Sequence, residues 1–254
     1  MYLEGKKGLI VGLANSYSIA WSIAQEARAQ GAELGFTYLN EAIEKRMRPL
    51  AEQLDGAFIL PCDVNSDEQV EALFTAVKEK WGKLDFLVHA VAYAEREDLM
   101  GSFAATSRKG FITAMETSVY SLITLSDHAA PLMNDGGSIL TLTYYGAEKS
   151  VKNYNIMGAA KAALEASVRY LAADLGEKNI RVNAISAGAI KTLSAKGIHG
   201  FNDILGVYRE KAPLRRATDP AEVGKASAFL LSDAASGITG EVLHVDSGFN
   251  SVGY

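Results

Sequence analysis

Short apolar runs alternate along the chain with longer stretches in which apolar positions recur every three or four residues. The runs predict strands at 8–12, 33–38, 57–61, 86–90, 138–143, 181–185 and 241–245. The 3.6-residue pattern predicts helices at 19–30, 42–54, 67–81, 110–134, 154–177 and 220–231. GLIVG, FLVHA and SILTLT are apolar almost throughout rather than alternating, as strands are when both sheet faces are covered. Gly31 and Gly82 follow two helical stretches, where a left-handed cap is wanted. Asp219-Pro220-Ala221-Glu222 is a helix start, with a capping acid, proline in the first turn and Glu three residues after the cap. Strand–helix alternation with right-handed crossovers predicts an α/β fold with a doubly wound parallel sheet of about seven strands. One stretch, 187–216, breaks the rhythm before the last strand. Ligands bind beyond the carboxyl ends of such strands, so this insert reads as a lid over a substrate.

The 254 residues, 48% of them hydrophobic and 22% charged, suit one domain spanning 1–254. Lys and Arg number 25 against 30 Asp and Glu, a net charge of -5, which argues against a general nucleic-acid binder. Cys62 is the sole cysteine, so no internal disulfide framework forms, and a reducing compartment fits. The first residues lack the order of a secretory signal. The longest uncharged stretch, 8–25, holds Asn15, Ser16, Ser18, Ser22 and Gln25 and is too polar to span a bilayer. The expectation is a cytoplasmic protein with no membrane segment.

Candidate chemistry begins at 12–20, GLANSYSIA, a strand end, a small-residue turn and a helix start. Backbone N–H groups there suit a pyrophosphate. The glycine fingerprint is incomplete, with Ser16 and Ser18 where further glycines are usual; a plain turn with a capping serine is the competing reading. After the second strand, FTYLNE places Leu39 where an acid for a ribose, or an arginine for a 2′-phosphate, is usual. No arginine directly follows that strand, and Lys45 and Arg46 come a turn later, which favours NADH over NADPH. In Cys62-Asp63-Val64, Asp63 is suited to accept from an adenine amino group or to start the next helix. Tyr154 and Lys161 are seven apart, hence on one helix face and about 10 Å apart along the axis. A phenol is a poor acid at neutral pH, and a nearby ammonium favours its loss of the proton. The histidines, His89, His128, His199 and His244, have no metal-ligand spacing, and no nucleophile elbow or Walker A loop occurs.

These features together resemble the short-chain dehydrogenase/reductase superfamily. More narrowly, the chain is similar to its divergent branch, the bacterial enoyl-acyl-carrier-protein reductases. The similarity rests on 12–20, FTYLNE at 36–41, CDV at 62–64, LTLTYYGAEK at 140–149, YNIMGAAKAALEASVRYLA at 154–172, RVNAISAG at 181–188 and GEVLHVDSGF at 240–249. The resemblance implies a Rossmann-type fold and NADH-dependent reduction of the trans-2 double bond of an enoyl thioester carried on acyl-carrier protein, in fatty-acid synthesis. It implies catalytic roles for Tyr144, Tyr154 and Lys161. It implies dinucleotide contacts at Gly12, Ser18, Ile19, Leu39, Asp63, Val64, Val91, Lys161, Ile190, Lys191, Thr192, Leu193 and Ser194, and substrate contacts at Ala94, Tyr144, Tyr154 and Met157. No metal is implied, and a homotetramer is. Ketone-reducing members of the superfamily carry a catalytic Ser thirteen residues before the tyrosine. Thr141 stands there in this chain, and no catalysis is assigned to it. Some relatives present a basic patch early in the lid helix; His199, Asn202 and Asp203 are not basic, and Arg209, Lys211, Arg215 and Arg216 are the nearby substitutes. Two alternatives remain: a 3-oxoacyl or other ketone reductase, and a non-catalytic dinucleotide-binding scaffold.

Overall fold

A computed structural model of the chain describes residues 1–192 and 201–253. Seven parallel strands form one sheet in the order β3-β2-β1-β4-β5-β6-β7. They are β1 Lys7–Val11, β2 Glu33–Tyr38, β3 Phe58–Pro61, β4 Phe86–His89, β5 Gly137–Thr143, β6 Ile180–Ala187 and β7 Val242–Val245. Successive side chains of one strand serve opposite layers. Leu9 and Val11 of β1 enter one core with Leu87, Ile139 and Val182, while Ile10 enters the other with Val88, Leu140 and Ile185. The continuous apolar runs exist because each strand is covered twice.

The helices are α1 Ile19–Ala29, α2 Glu41–Gln53, α3 Asp67–Trp81, α4 Arg108–Met115, α5 Ser121–Ala129, α6 Asn155–Gly176, α7 Phe201–Lys211 and α8 Pro220–Leu231. Cores on the two faces are closed by α3, α5 and α6 on one side and by α1, α2 and α8 on the other. Ser66 caps α3, Gly82 ends it in the left-handed region at φ 68°, and Asp219 with Glu222 forms a complete capping box on α8. Those local signals have no competitor in tertiary packing, so the expected boundaries of α3 and α8 are the observed ones.

One expectation needs correction. The helix expected over 110–134 is not continuous: a π turn, Glu116–Tyr120, separates α4 from α5. Thr117, Ser118 and Val119 are buried there, and the widened turn lets polar side chains work inside the core. The Ser118 hydroxyl accepts from the Tyr93 N–H at 3.1 Å and donates to the Tyr93 carbonyl at 3.2 Å, tying the π turn to the segment after β4. The insert 187–216 also holds regular structure, helix α7, with Leu205 and Tyr208 buried against Ala189 and Phe249 in a small third core. Its apolar spacing (Phe201, Ile204, Leu205, Tyr208) is helical, but the stretch is short and set among glycines.

Candidate active site

The strand order reverses direction between β1 and β4, and a cleft of about 440 Å³ opens at that switch point. Its walls come from the β1–α1 turn, the segment after β4, the end of β5, the start of α6, the segment after β6, and α7.

The β1–α1 turn presses tightly on β4. Gly12 has φ 108°, and a Cβ there would lie 2.3 Å from the Ala90 carbonyl oxygen. Only glycine lets the two strand ends approach so closely. Ser18 precedes α1 but its side chain caps nothing. Instead its Oγ accepts from the N–H groups of Ala14 (3.3 Å) and Asn15 (3.1 Å), which shapes the loop and leaves the hydroxyl proton to donate. The first turn of α1 carries no acid, and Ser18, Ile19 and Ala20 line the cleft. A glycine cradle and a helix start without negative side chains fit the pyrophosphate of a dinucleotide.

Tyr154 sits just before α6, between Asn153 (φ 63°) and Asn155 (φ 34°). Asparagine tolerates this left-handed backbone better than most residues, and strain of this kind collects at functional sites. Gly146 supplies room for the phenol: a Cβ there would lie 2.4 Å from the Tyr154 ring. The Tyr144 ring meets Tyr154 edge-on, centroids 5.0 Å apart. Two helical turns on, the buried Lys161 donates from Nζ to the Leu142 carbonyl at 2.7 Å, anchoring its ammonium on the end of β5. Burial lowers the Lys161 pKa to about 8 although Glu165, a turn further, opposes the fall.

The expectation that the ammonium eases proton loss from Tyr154 does not hold in this arrangement. Burial raises the Tyr154 pKa far above the ordinary phenol value, and Tyr144 and Glu165 add to the rise. Tyr154 is therefore a neutral phenol, a hydrogen-bond donor rather than a phenolate. Sequence spacing shows which groups are neighbours but not how much water they have lost.

Thr141 is fully buried and turned away from the cleft. Its hydroxyl lies 2.8 Å from Nδ1 of His89, whose Nε2 lies 2.8 Å from the Ser121 hydroxyl. Burial lowers the His89 pKa to about 3, with Lys161 adding to the fall, so the imidazole is neutral. Cys62 is buried, and desolvation pushes its thiol up to about 11, as an inert core cysteine requires. Among the described residues no cluster of His, Cys, Asp and Glu could hold a metal.

The cleft brings together Gly12, Ser18, Ile19, Val91, Ala94, Tyr144, Tyr154, Met157, Lys161, Ile190 and Thr192. Leu39, Asp63 and Val64 are outside its walls, at the carboxyl ends of β2 and β3. The Asp63 carboxylate accepts from the Asn65 N–H at 3.0 Å, while Ser66 caps α3, so Asp63 does not start that helix. Lys191 is exposed and outside the walls. Leu193, Ser194 and His199 lie outside the described residues. Gly146 and the α7 residues Phe201 and Ile204 also shape the site and were not expected; the first was hidden in the tyrosine-rich 144–148 segment, the others in the insert.

A parallel sheet of this order, with a cleft at its switch point faced by a helix start, defines a dinucleotide-binding protein of Rossmann type. A family model described as enoyl-(acyl carrier protein) reductase matches residues 12–250, and the chain belongs to that family. Among its relatives, the enoyl-[acyl-carrier-protein] reductase [NADH] FabI of Nostoc is 52% identical over 254 residues, covering 99% of this chain and 98% of that one. An enoyl-[acyl-carrier-protein] reductase [NADH] of Rhizobium meliloti is 54% identical over 252 residues, covering 99% and 92%. A solved enoyl-acyl-carrier-protein reductase from Anaplasma phagocytophilum, in complex with NAD, superposes with a TM-score of 0.97 at 52% identity over 100% of this chain and 97% of that one. The Bacillus cereus enzyme with NADP+ and an indole naphthyridinone gives a TM-score of 0.98 at 51% identity, covering 100% and 99%.

Proposed function

We propose that the chain is an NADH-dependent enoyl-acyl-carrier-protein reductase, one working unit over 1–254, that saturates the trans-2 double bond of enoyl thioesters. The observation that carries this reading is the Tyr144–Tyr154 pair beside Lys161 in the cleft, combined with the capture of Thr141 by His89. NADH, when bound, supplies the hydride. The α1 start with Gly12 and Ser18 would hold its pyrophosphate, and Lys161 its ribose. Leu39, Asp63 and Val64 would flank the adenosine end, and Val91, Ile190, Lys191, Thr192, Leu193 and Ser194 the nicotinamide end. NADH is favoured over NADPH because Glu41 follows Asn40 at the end of β2 and Arg46 is turned onto the Ala42 carbonyl at 2.9 Å.

The substrate's acyl chain would lie among Ala94, Met157 and the lid. Reduction at the β-carbon puts negative charge on the thioester oxygen, so the site needs a donor aimed at that atom. Tyr154, kept neutral by burial, is suited to donate there, and Lys161 raises the local positive potential. Tyr144 shapes the pocket and donates nearby. A ketone reductase would need a second free hydroxyl at position 141, and Thr141 has spent its own in the core.

Exposed Arg209 and Lys211 at the end of α7 are the cations suited to meet an acidic carrier protein. Arg216 is paired with Glu222, and Arg215 donates to the Glu210 carbonyl. No helix among the described residues is long and apolar enough to cross a membrane, in keeping with work in the cytoplasm. Exposed Tyr120 at the end of the π turn, Ile123 on α5 and Tyr170 on α6 support assembly, read as a homotetramer and checked by sedimentation equilibrium. The activity is tested by following NADH absorbance with trans-2-enoyl and 3-oxoacyl thioesters, on carrier protein and on coenzyme A. The enoyl substrates should win by about a hundredfold or more in kcat/KM. Preference for the 3-oxoacyl series, or binding without turnover, would overturn the assignment.

A further inference from the structure

Tyr208 of the lid helix α7 is among the most buried side chains of the protein, 1% exposed, yet its hydroxyl has no hydrogen-bond partner among the described residues. A phenylalanine would fill the same space without burying an unpaired donor, so packing does not account for the oxygen. The ring is firmly placed. It stacks on Phe249 with centroids 4.1 Å apart and planes at 16°, and Phe249 in turn meets Tyr145 edge-on at 5.6 Å. This run of rings ends beside the active-site pair: the Tyr208 hydroxyl faces that of Tyr144 without attaining hydrogen-bond geometry, and Tyr144 packs on Tyr154.

We propose that Tyr208 is a positioning residue, whose hydroxyl donates to the Tyr144 phenol oxygen and so directs the Tyr144 proton into the cleft. Each phenol has one proton to give. Two facing hydroxyls share only one of the two protons, and the other must go elsewhere. Tyr208 is enclosed, with no other acceptor engaged, whereas Tyr144 borders the cleft where a substrate oxygen arrives. The economical arrangement has Tyr208 donating and Tyr144 keeping its proton for the ligand. A small shift of α7, as when an acyl chain fills the space beside Phe201 and Ile204, would bring the two oxygens into bonding range. The lid would thus contribute to the chemistry and not only cover it.

This inference rests on the enoyl-reductase reading, and a double-mutant cycle separates the two. Tyr208→Phe, Tyr144→Phe and the double variant are compared with the unaltered enzyme on a crotonyl thioester with NADH. Tyr208→Phe should lower kcat about fivefold with the KM for NADH unchanged and the melting temperature no lower, and should change kcat less than about twofold in the Tyr144→Phe background. Unaltered kcat in Tyr208→Phe, or an equal fall in both backgrounds, would overturn the positioning role while leaving the enoyl-reductase reading intact. No turnover by the unaltered enzyme would overturn both.

Discussion

Lys161 bears a charge in a place where charge is costly, and that makes a sharp prediction about Lys161→Met. Lys161 is 7% exposed, and its ammonium donates to the Leu142 carbonyl at 2.7 Å. Its fall from 10.5 to about 8 corresponds, at about 1.4 kcal/mol per tenfold change in proton affinity, to about 3 kcal/mol against the charged form in the folded chain. Methionine keeps most of the aliphatic stem and loses the charge. Losing the charge-assisted bond to Leu142 costs about 2 kcal/mol. The net expectation at pH 7, without cofactor, is a variant about 1 kcal/mol more stable than the parent, or about 3 °C in Tm for a chain of this size. Cofactor affinity should move the other way. Loss of the charge-assisted bond proposed to the ribose should weaken NADH binding by about ten- to a hundredfold.

The pH dependence has a definite sign. Below pH 8 the lysine is protonated both folded and unfolded, and the whole penalty is present. Between about 8 and 10.5 the folded chain releases the proton while the unfolded chain holds it, so the parent gains stability as pH rises. Above 10.5 both states are neutral, and the parent should lead by about 1 kcal/mol, the worth of the neutral amine's bond to the carbonyl. Urea unfolding of parent and variant at pH 7 and at pH 10.5, with calorimetric NADH titration at pH 7, measures every part. A variant less stable than the parent at pH 7, or one with unchanged NADH affinity, would refute the reasoning.

Two further outcomes follow from the same geometry. Tyr154→Phe removes the donor proposed for the thioester oxygen and should lower kcat by at least about tenfold with NADH affinity preserved; single-turnover kinetics and an NADH titration check both halves. Gly12→Ala forces a Cβ to 2.3 Å from the Ala90 carbonyl at φ 108°, so it should cost about 2 kcal/mol or more and weaken NADH binding at least tenfold; wild-type urea midpoint and affinity would contradict it.

The sheet was legible because its information is local. The paired-face burial of β1, β4 and β5 appears as unbroken apolar runs, and the caps of α3 and α8 lie within three residues of the helices they start. The Tyr154–Lys161 pair was legible for the same reason, as a helical spacing. What escaped is what depends on partners far along the chain. The π turn answers to Tyr93, some 25 residues away, and Tyr208 finds Phe249 only through the fold. Whether Tyr154 gains or loses acidity depends on how thoroughly β5, α6 and Tyr144 exclude water, and no spacing rule contains that.

The π turn links this non-local structure to the choice of reaction. Ser121 donates to the Thr117 carbonyl at 2.7 Å, within the π turn. With its proton committed, the Ser121 oxygen must accept from His89, so the imidazole carries its proton on Nε2. Nδ1 is then a lone pair, and Thr141 satisfies it by donating at 2.8 Å; its other acceptor within reach, the His89 carbonyl at 3.2 Å, is equally buried. Either way the one proton of Thr141 is consumed inside the core. A neutral histidine suits this chain of donors, since an imidazolium would have two protons and leave Thr141 free to turn, and burial keeps that form away at any working pH. Position 141 therefore retains a hydroxyl for stability and has none to spare for chemistry, which is why polarisation of the substrate is proposed for the tyrosines of the cleft.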